Sequence, residues 1–186
     1  METSTEKGRK RMSKQPVFIE VAASGEIRLV AELAAEIWSE HYVTIITKEQ
    51  IAYMLQRFQS EEAIAAQIER EGYHYFLIVA EDEPVGYIGI KPEADKLFLS
   101  KLYVHAAHRG KGYARAGIQM VAEWCRTRGL GAIELVVNRN NQQAIAAYER
   151  TGFLPIRTQV VDIGEGHVMD DIVMQKPVAL EVQERI

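Results

Sequence analysis

The sequence contains very little cysteine and no long apolar run, and each shortage excludes a class of protein. Cys125 is the only cysteine among 186 residues, so a disulfide within the chain and a multi-cysteine metal site are excluded. No apolar stretch approaches the roughly 18–20 residues that span a bilayer, and the first residues lack the apolar segment of a secretory signal. We therefore expect a cytoplasmic protein that binds neither a metal nor a membrane.

Positive charge is also in short supply. Lys and Arg total 22 against 26 Asp and Glu, for a formal net charge of −4, so overall electrostatics does not favour nucleic acid. Residues 1–16 carry five basic and two acidic residues, or +3, which leaves −7 for the rest of the chain. We predict that residues 1–16 form a mobile basic tail. The acidic remainder could attract a cationic substrate, although most acidic proteins have no such ligand.

The pattern of apolar residues predicts a single domain over residues 17–176, followed by a C-terminal tail over residues 177–186. Its elements run in the order strand, two helices, three antiparallel strands, helix, strand, helix and two strands. Ser24 is expected to cap the first helix, and Thr47 with Gln50 forms the capping-box pattern at the start of the second.

Two of the predicted strands form a parallel pair. Lys96–Val104 and Ala132–Asn138 are joined by a helix, and such a crossover places the two strands side by side in the same direction. We expect an α/β (α+β) domain whose mixed sheet has seven strands and about four flanking helices. The other five strands are expected at Val17–Ala22, Tyr73–Ala80, Val85–Pro92, from Leu154 onward, and at His167–Lys176.

A basic, glycine-rich turn, RGKGYAR at residues 109–115, opens the helix that joins the parallel pair. The first amides of a helix have no internal partner and carry partial positive charge, and glycine lets a ligand approach the backbone. Arg109, Lys111 and Arg115 add formal charge. The turn is therefore a candidate pyrophosphate site, although a solvated helix start could have the same composition.

Two familiar nucleotide motifs do not match this turn. A GxxxxGK[ST] loop needs Lys-Ser or Lys-Thr after its last glycine, and neither occurs here. A dinucleotide-binding fingerprint needs a third glycine where Arg115 stands, and it belongs to the first parallel strand of a sheet.

Two motifs together resemble the GCN5-related N-acetyltransferases. Arg109–Ala114 matches the family signature Q/R-x-x-G-x-G/A, and it follows Leu102–Val104 as in that family. Asn141–Phe153 matches the pattern N-x-x-A-x-x-x-Y-x-x-x-G-F. The predicted order of strands and helices is also that of the family.

The resemblance implies direct transfer of the acetyl group of acetyl-CoA to a primary amine. It implies that the parallel strands splay apart, and that the pantetheine arm fills the gap beside the backbone of Leu102, Tyr103 and Val104. It places Asn141 beside the cofactor and Tyr148 near the sulfur, as the general acid. The pyrophosphate would be held by the turn residues Arg109, Gly110, Lys111, Gly112, Tyr113, Ala114 and Arg115.

The group that accepts the proton of the amine is left open. Many relatives carry a glutamate on the strand before the turn, where this sequence has Ser100. A water chain or another carboxylate could serve instead. Asp170 and Asp171 are candidates, and one of them should face inward because neighbours in a strand point to opposite sides.

The acceptor is expected to bind between the first helices and the last hairpin. Trp38, His41 and Tyr42 could line the pocket, although Trp38 could equally belong to the core and His41 could be solvated. A weaker resemblance to bacterial spermidine/spermine acetyltransferases, carried by EHY and DDIVMQK, implies a polyamine or another small amine.

Other functions stay open. The acceptor could be a protein N-terminus or a lysine, and the domain could bind acetyl-CoA without turnover, as a regulatory module. Nucleic-acid binding through residues 1–16 would be steeply salt-dependent; we expect none. An exposed seventh strand could pair across a homodimer.

Overall fold

Seven strands form one mixed sheet in the computed structural model of the chain, which describes residues 15–180. They are β1 (Val17–Glu20), β2 (His74–Ala80), β3 (Glu83–Pro92), β4 (Leu97–Val104), β5 (Ala132–Asn138), β6 (Leu154–Gly164) and β7 (His167–Pro177). Their order across the sheet is β1-β2-β3-β4-β5-β7-β6. Only β4 and β5 are parallel, so the predicted mixed sheet with a central parallel pair is confirmed.

Five α-helices are found among the described residues: α1 (Ser24–His41), α2 (Lys48–Phe58), α3 (Glu61–Arg70), α4 (Tyr113–Arg126) and α5 (Gln142–Arg150). The count exceeds the expected four because the second helical region breaks at Ser60, whose hydroxyl accepts a hydrogen bond from the Ala63 amide and caps α3. None of these five helices is long and apolar enough to cross a membrane.

The sheet separates two apolar cores. On one face, α1, α2 and α3 pack Val30, Ile51 and Ile64, respectively, against the sheet residues Tyr75 and Tyr87. The opposite core joins α4, through Ile118 and Val121 among others, to the other side of the same strands. In both cores, the apolar residues of each helix recur at helical spacing and therefore form one face. This apolar face determines how the helix lies on the sheet.

The structure corrects two predicted helix starts. Ser24 does not cap α1, because the cap position is Ala23 and the carboxylate of Glu26 accepts from the Ala22 and Ala23 amides at 2.7 and 2.9 Å. Thr47 does cap α2, but the Gln50 side chain donates to the Val168 carbonyl on β7 instead of returning to the cap. A tertiary contact therefore replaces half of the predicted capping box.

The seventh strand does not lie at an edge of the sheet. β7 pairs with β5 on one side and with β6 on the other, so β6 is the edge strand and the expectation of an exposed seventh strand is wrong. Order also extends beyond residue 176, because Val178 is buried and its amide donates to the Gly131 carbonyl. Residues 1–14 of the predicted basic tail, and residues 181–186, lie outside the described residues.

Candidate active site

The parallel strands β4 and β5 separate part of the way along their length. They pair only from Leu97 with Ile133 to Leu99 with Leu135. Beyond this point β4 pairs with β3 alone and β5 with β7 alone. The register of β4 against β3 shifts at Ser100, and such a bulge bends a strand. The bend opens a gap beside the backbone of residues 100–104.

A cavity of about 510 Å³, here called the turn cavity, occupies this gap and reaches the start of α4. It collects ten of the eleven predicted cofactor residues together with Tyr148. The residue left out is Lys111, which lies with Gln15 and Pro16 beside a separate, smaller cavity. The predicted residues on the wall of the turn cavity are Leu102, Tyr103, Val104, Arg109, Gly110, Gly112, Tyr113, Ala114, Arg115, Asn141 and Tyr148.

The turn presents uncapped amides to this cavity. Gly112 is the cap position of α4, and no side chain accepts a hydrogen bond from the helix start. By helix geometry, the amides of residues 113–115 lack an internal partner. Gly110 and Gly112 have φ values of +75° and +87°, a conformation that side-chain-bearing residues avoid. The two glycines therefore allow a turn that other residues would strain, and its free amides are of the kind that bind an anion.

Arg109 folds back over the end of β4. Its Nε donates to the Val104 carbonyl at 3.0 Å, which is one of the backbone groups expected to face an extended ligand. Its charge also helps to lower the pKa of His41, although burial of the imidazole is the larger cause. Arg115 is exposed at the mouth of the turn cavity, where it can meet an anion directly.

Asn141 joins the two sides of the turn cavity. Its Oδ1 accepts from the Ala144 amide at 3.2 Å, which caps α5. Its Nδ2 lies 2.9 Å from the Nε2 of His41. Since the pKa of His41 is lowered, the neutral ring accepts this hydrogen bond. His41 is therefore a half-buried partner of Asn141, and of the two alternatives the structure does not support the solvated histidine.

Three tyrosines, Tyr42, Tyr103 and Tyr148, lie on the wall of the turn cavity. The hydroxyls of Tyr42 and Tyr103 are 2.9 Å apart and share a hydrogen bond. Tyr148 packs edge-on against Phe153, and no hydrogen bond to its hydroxyl is found within residues 15–180. Burial raises the pKa of Tyr148 well above its ordinary value. Its phenol is therefore protonated at neutral pH and free to donate.

A second cavity of about 580 Å³, here called the helix cavity, lies on the other side of the same gap. Its wall comes from α1, α2, α3, β4, β5 and β7, and includes Trp38, Arg57, Gln67, Tyr73, Lys101, Asn138, Met169 and Asp171. The two cavities share four lining residues: Tyr42, Ser100, Tyr103 and Val136. The two cavities therefore adjoin one another at these residues.

Asp171 is the inward-facing member of the acidic pair. It is only 4% exposed, and its Oδ1 has no hydrogen-bond partner within the described residues. Burial, helped by the charge of Asp170, raises the pKa of Asp171 to about 6. Asp170 instead pairs with Arg139 at 2.9 Å, and half of its side chain is exposed. The predicted alternation of the two carboxylates is confirmed.

Trp38 is both a core residue and part of the cavity wall. It is 4% exposed, its Nε1 donates to the Tyr87 hydroxyl at 3.0 Å, and its ring contacts those of Tyr42 and Tyr103.

The sequence pattern did not identify Lys101 as a residue of the site, although two polar residues inside the apolar segment LFLSKLYV were a signal. It also missed Arg57, because an exposed helix position carries no signal of a site.

Comparison with known proteins supplies a family. The sequence model of the acetyltransferase (GNAT) family matches residues 31–153. The uncharacterized N-acetyltransferase YjgM of Escherichia coli is 37% identical over 86 residues, 44% of this chain and 52% of that protein. Streptothricin acetyltransferase of Streptomyces lavendulae is 32% identical over 81 residues, 42% of this chain and 43% of that protein. The chain thus spans about half the length of these curated relatives.

A solved structure has the same fold. The PaiA N-acetyltransferase of Thermoplasma acidophilum, in complex with coenzyme A, superposes with a TM-score of 0.71 at 19% identity, over 87% of this chain and 99% of that one. The family match covers more than half of the chain and contains the uncapped turn, the gap between β4 and β5 and both sequence motifs. This chain therefore belongs to the acetyltransferase (GNAT) family.

Proposed function

We propose that the protein transfers the acetyl group of acetyl-CoA to a primary amine. The observation that carries the proposal is the separation of β4 from β5 directly before the uncapped start of α4. The gap can take an extended arm beside Leu102–Val104, and the turn amides with Arg115 can hold a pyrophosphate. The helix cavity, which meets this gap at Tyr42 and Ser100, would hold the amine.

The transfer needs three proton movements. The ammonium first loses one proton, the neutral nitrogen bonds to the acetyl carbonyl carbon, and the carbon–sulfur bond breaks while the departing thiolate takes a proton from a donor. The nitrogen then loses its second proton, which restores the donor, so that one proton is released overall. We assign acceptance of the first proton to Asp171 and donation to the thiolate to Tyr148. A backbone amide near Leu102–Val104 would stabilise the oxyanion.

Asp171 suits the role of base for two reasons. No glutamate stands on β4, where Ser100 replaces it, and the Oδ1 of Asp171 is the one fully buried side-chain oxygen of residues 15–180 that lacks a partner. With a pKa of about 6, the carboxylate is ionised at pH 7 and its proton affinity is close to the working pH, which favours general-base catalysis.

Cofactor binding and thiol release test the proposal. Calorimetry should detect binding of coenzyme A and acetyl-CoA, and a thiol reagent should detect release of coenzyme A when an amine is added. The amine panel contains polyamines, amino acids, N-terminal peptides and lysine peptides. No heat with either cofactor at millimolar concentration would overturn the proposal. Binding without thiol release across the panel would instead support a non-catalytic module.

Asp171→Asn tests the base. We expect kcat/KM to fall by roughly 10²–10⁴-fold and to lose its rising limb near pH 6, because the carboxamide cannot take a proton. Asp170→Asn is the matched control, since Asp170 is bonded to Arg139 outside the cavity wall; its profile should keep that limb. Equal rates for the two variants would remove Asp171 from the mechanism.

We propose that the protein forms a homodimer through β6. This edge strand has exposed apolar residues, including Leu154 (66%) and Val160 (67%), and an unpaired edge is a template for another strand. Sedimentation of the wild type and of Val160→Lys over a range of concentrations tests this. A dimer unaffected by the substitution would place the interface elsewhere.

A further inference from the structure

Lys101 is a buried lysine on the wall of the helix cavity. It is 9% exposed, and its Nζ donates to the Ser100 hydroxyl at 2.7 Å. The ammonium also lies over the rings of Tyr73 and Tyr75, at 5.2 and 5.8 Å from their centres. No carboxylate lies within 4.0 Å of it among residues 15–180.

A buried ammonium without a counter-ion is energetically unfavourable, and buried charges in proteins are normally paired. Accordingly, burial lowers the pKa of Lys101 to about 8. Glu71 acts weakly in the opposite direction, from an exposed position on the same cavity wall. The counter-ion that this side chain lacks can only approach through the cavity that it faces.

The fold holds the stem of Lys101 in one place. A Cβ on Gly89 would come within 3.3 Å of the Cβ and Cδ of Lys101, and within 3.2 Å of the Tyr75 ring. The absence of a side chain at Gly89 therefore lets the stem lie across β3. The ammonium is preorganised by this packing and by Ser100, which reduces the entropy lost when an anion binds.

The charges on the wall of the helix cavity are of both signs. Asp171 enters from β7, whereas Lys101 enters from β4 and Arg57 from α2. A molecule with a cationic amine and an anion can therefore satisfy both kinds of group. A polyamine, which has only cationic groups, would be repelled by the positive charge of Lys101.

We propose, on the basis of the proposed acetyl transfer, that Lys101 binds a carboxylate of the acceptor, so that the acceptor is an amino acid or a related amine that carries a carboxylate. Arg57 adds positive charge at the same cavity. The amine of such an acceptor would then lie toward Asp171 and the tyrosine hydroxyls, where the acetyl group arrives.

Matched acceptor pairs test the inference. Each amino acid is compared with the amine that remains after loss of its carboxylate, for example lysine with 1,5-diaminopentane and ornithine with 1,4-diaminobutane. We expect at least one pair in which kcat/KM is higher for the amino acid by roughly 10–100-fold, as for a hydrogen bond to a charged group. Calorimetry of the amino acids with the coenzyme A complex measures binding independently of turnover.

Lys101→Met keeps the stem and removes the charge. It should abolish the preference, with a loss of roughly 10–100-fold for the amino acid and little change for the decarboxylated amine. Lys101→Arg should restore part of it. Lys91→Met is the matched control, because Lys91 lies over the same Tyr73 ring at 5.2 Å but is not part of the cavity wall; it should keep the preference.

The outcomes separate this inference from the proposed function. Acetylation of amines without any preference for a carboxylate, or a best substrate that is a polyamine, overturns the inference alone. An equal loss of kcat/KM for all acceptors in Lys101→Met also overturns it, because removal of a general base would lower kcat/KM for every acceptor alike. Cofactor binding without calorimetric binding of any amino acid contradicts it even where no amine is turned over. Failure to bind coenzyme A removes the proposed function itself.

A stability measurement checks the premise. Without ligand, Lys101→Met should unfold at a higher temperature than the wild type, because the unpaired buried charge is gone. The expected rise is about 2–4 °C or more, the shift for roughly 1 kcal/mol in a domain of this size. A lower unfolding temperature would mean that the ammonium already has adequate partners.

Discussion

The two cavities that meet at Tyr42 and Ser100 are built in different ways. The turn cavity is formed almost entirely by two stretches of chain, residues 99–118 and 136–151. The helix cavity draws on residues from Trp38 to Asp171, contributed by three helices and three strands. The first relies largely on backbone groups and glycines, and the second on side chains.

This difference suits the two ligands of the proposed reaction. A cofactor with a constant pyrophosphate needs uncapped amides at one helix start, so a short motif can encode its site. In the proposed function, an acceptor would be selected by charges brought together from distant elements, such as Lys101 on β4 and Asp171 on β7. Substitutions on the two sides should therefore change different steps of the reaction.

The largest effect is expected at Tyr148, on the wall of the turn cavity. Tyr148→Phe should lower kcat by roughly 10²–10⁴-fold, because the departing thiolate loses its proton donor, while calorimetric binding of coenzyme A stays unchanged. Tyr42→Phe is the comparison, since its hydroxyl is already bonded to Tyr103; we expect a smaller loss. An unchanged kcat in Tyr148→Phe would leave this tyrosine as a packing residue.

A smaller effect is expected at the turn. Gly112→Ala should weaken coenzyme A binding by roughly tenfold, because a side chain at φ +87° costs about 1–2 kcal/mol, and relief of that strain would turn the amides away from the anion. Gly25→Ala is the control, since a Cβ there meets no atom within 4 Å and alanine favours a helix. Calorimetry should show a loss in the first variant only; equal affinities would contradict an anion site made by the turn backbone.

Asp171 should have a pH-dependent effect on stability. The pKa of Asp171 is raised to about 6 in the folded protein, against roughly 4 in an unfolded chain. Between these values the folded state binds the extra proton, so stability falls as pH rises from 4 to 6 and stays reduced above. Asp171→Asn should therefore raise the unfolding temperature at pH 7 but not at pH 4. A gain of equal size at both pH values would mean that the charge is not its cause.

The smallest effect is expected at Asn141, which connects α5 to His41 across the turn cavity. Asn141→Ala removes the cap of α5 and the hydrogen bond to His41, which should cost about 1 kcal/mol and lower the unfolding temperature by about 2–4 °C. Asn141→Asp keeps the capping oxygen but not the donor to His41, and should recover most of this stability. Equal losses would assign the stability to the His41 contact instead of the cap.

Most of the fold could be read from the sequence because its signals are local. Apolar periodicity and turn residues placed all seven strands, and Ala132–Asn138 has the bounds that were predicted. The errors have tertiary causes. The Gln50 side chain leaves its predicted capping box for the Val168 carbonyl, and β7 inserts between β5 and β6, which depends on how strands meet and not on any one segment.

The sequence by itself determined the parallel crossover and the glycine turn at its helix start, because these depend on segments that follow one another in the chain. It indicated Asn141 and Tyr148 through the resemblance of their motif to that of a known family. Only the tertiary structure decided that Asp171 and not Asp170 is buried, that His41 bonds to Asn141, and that Lys101 faces a cavity without a counter-ion. Burial and pairing are properties of residues far apart in the chain, and folding must bring them together before their charges act on one another.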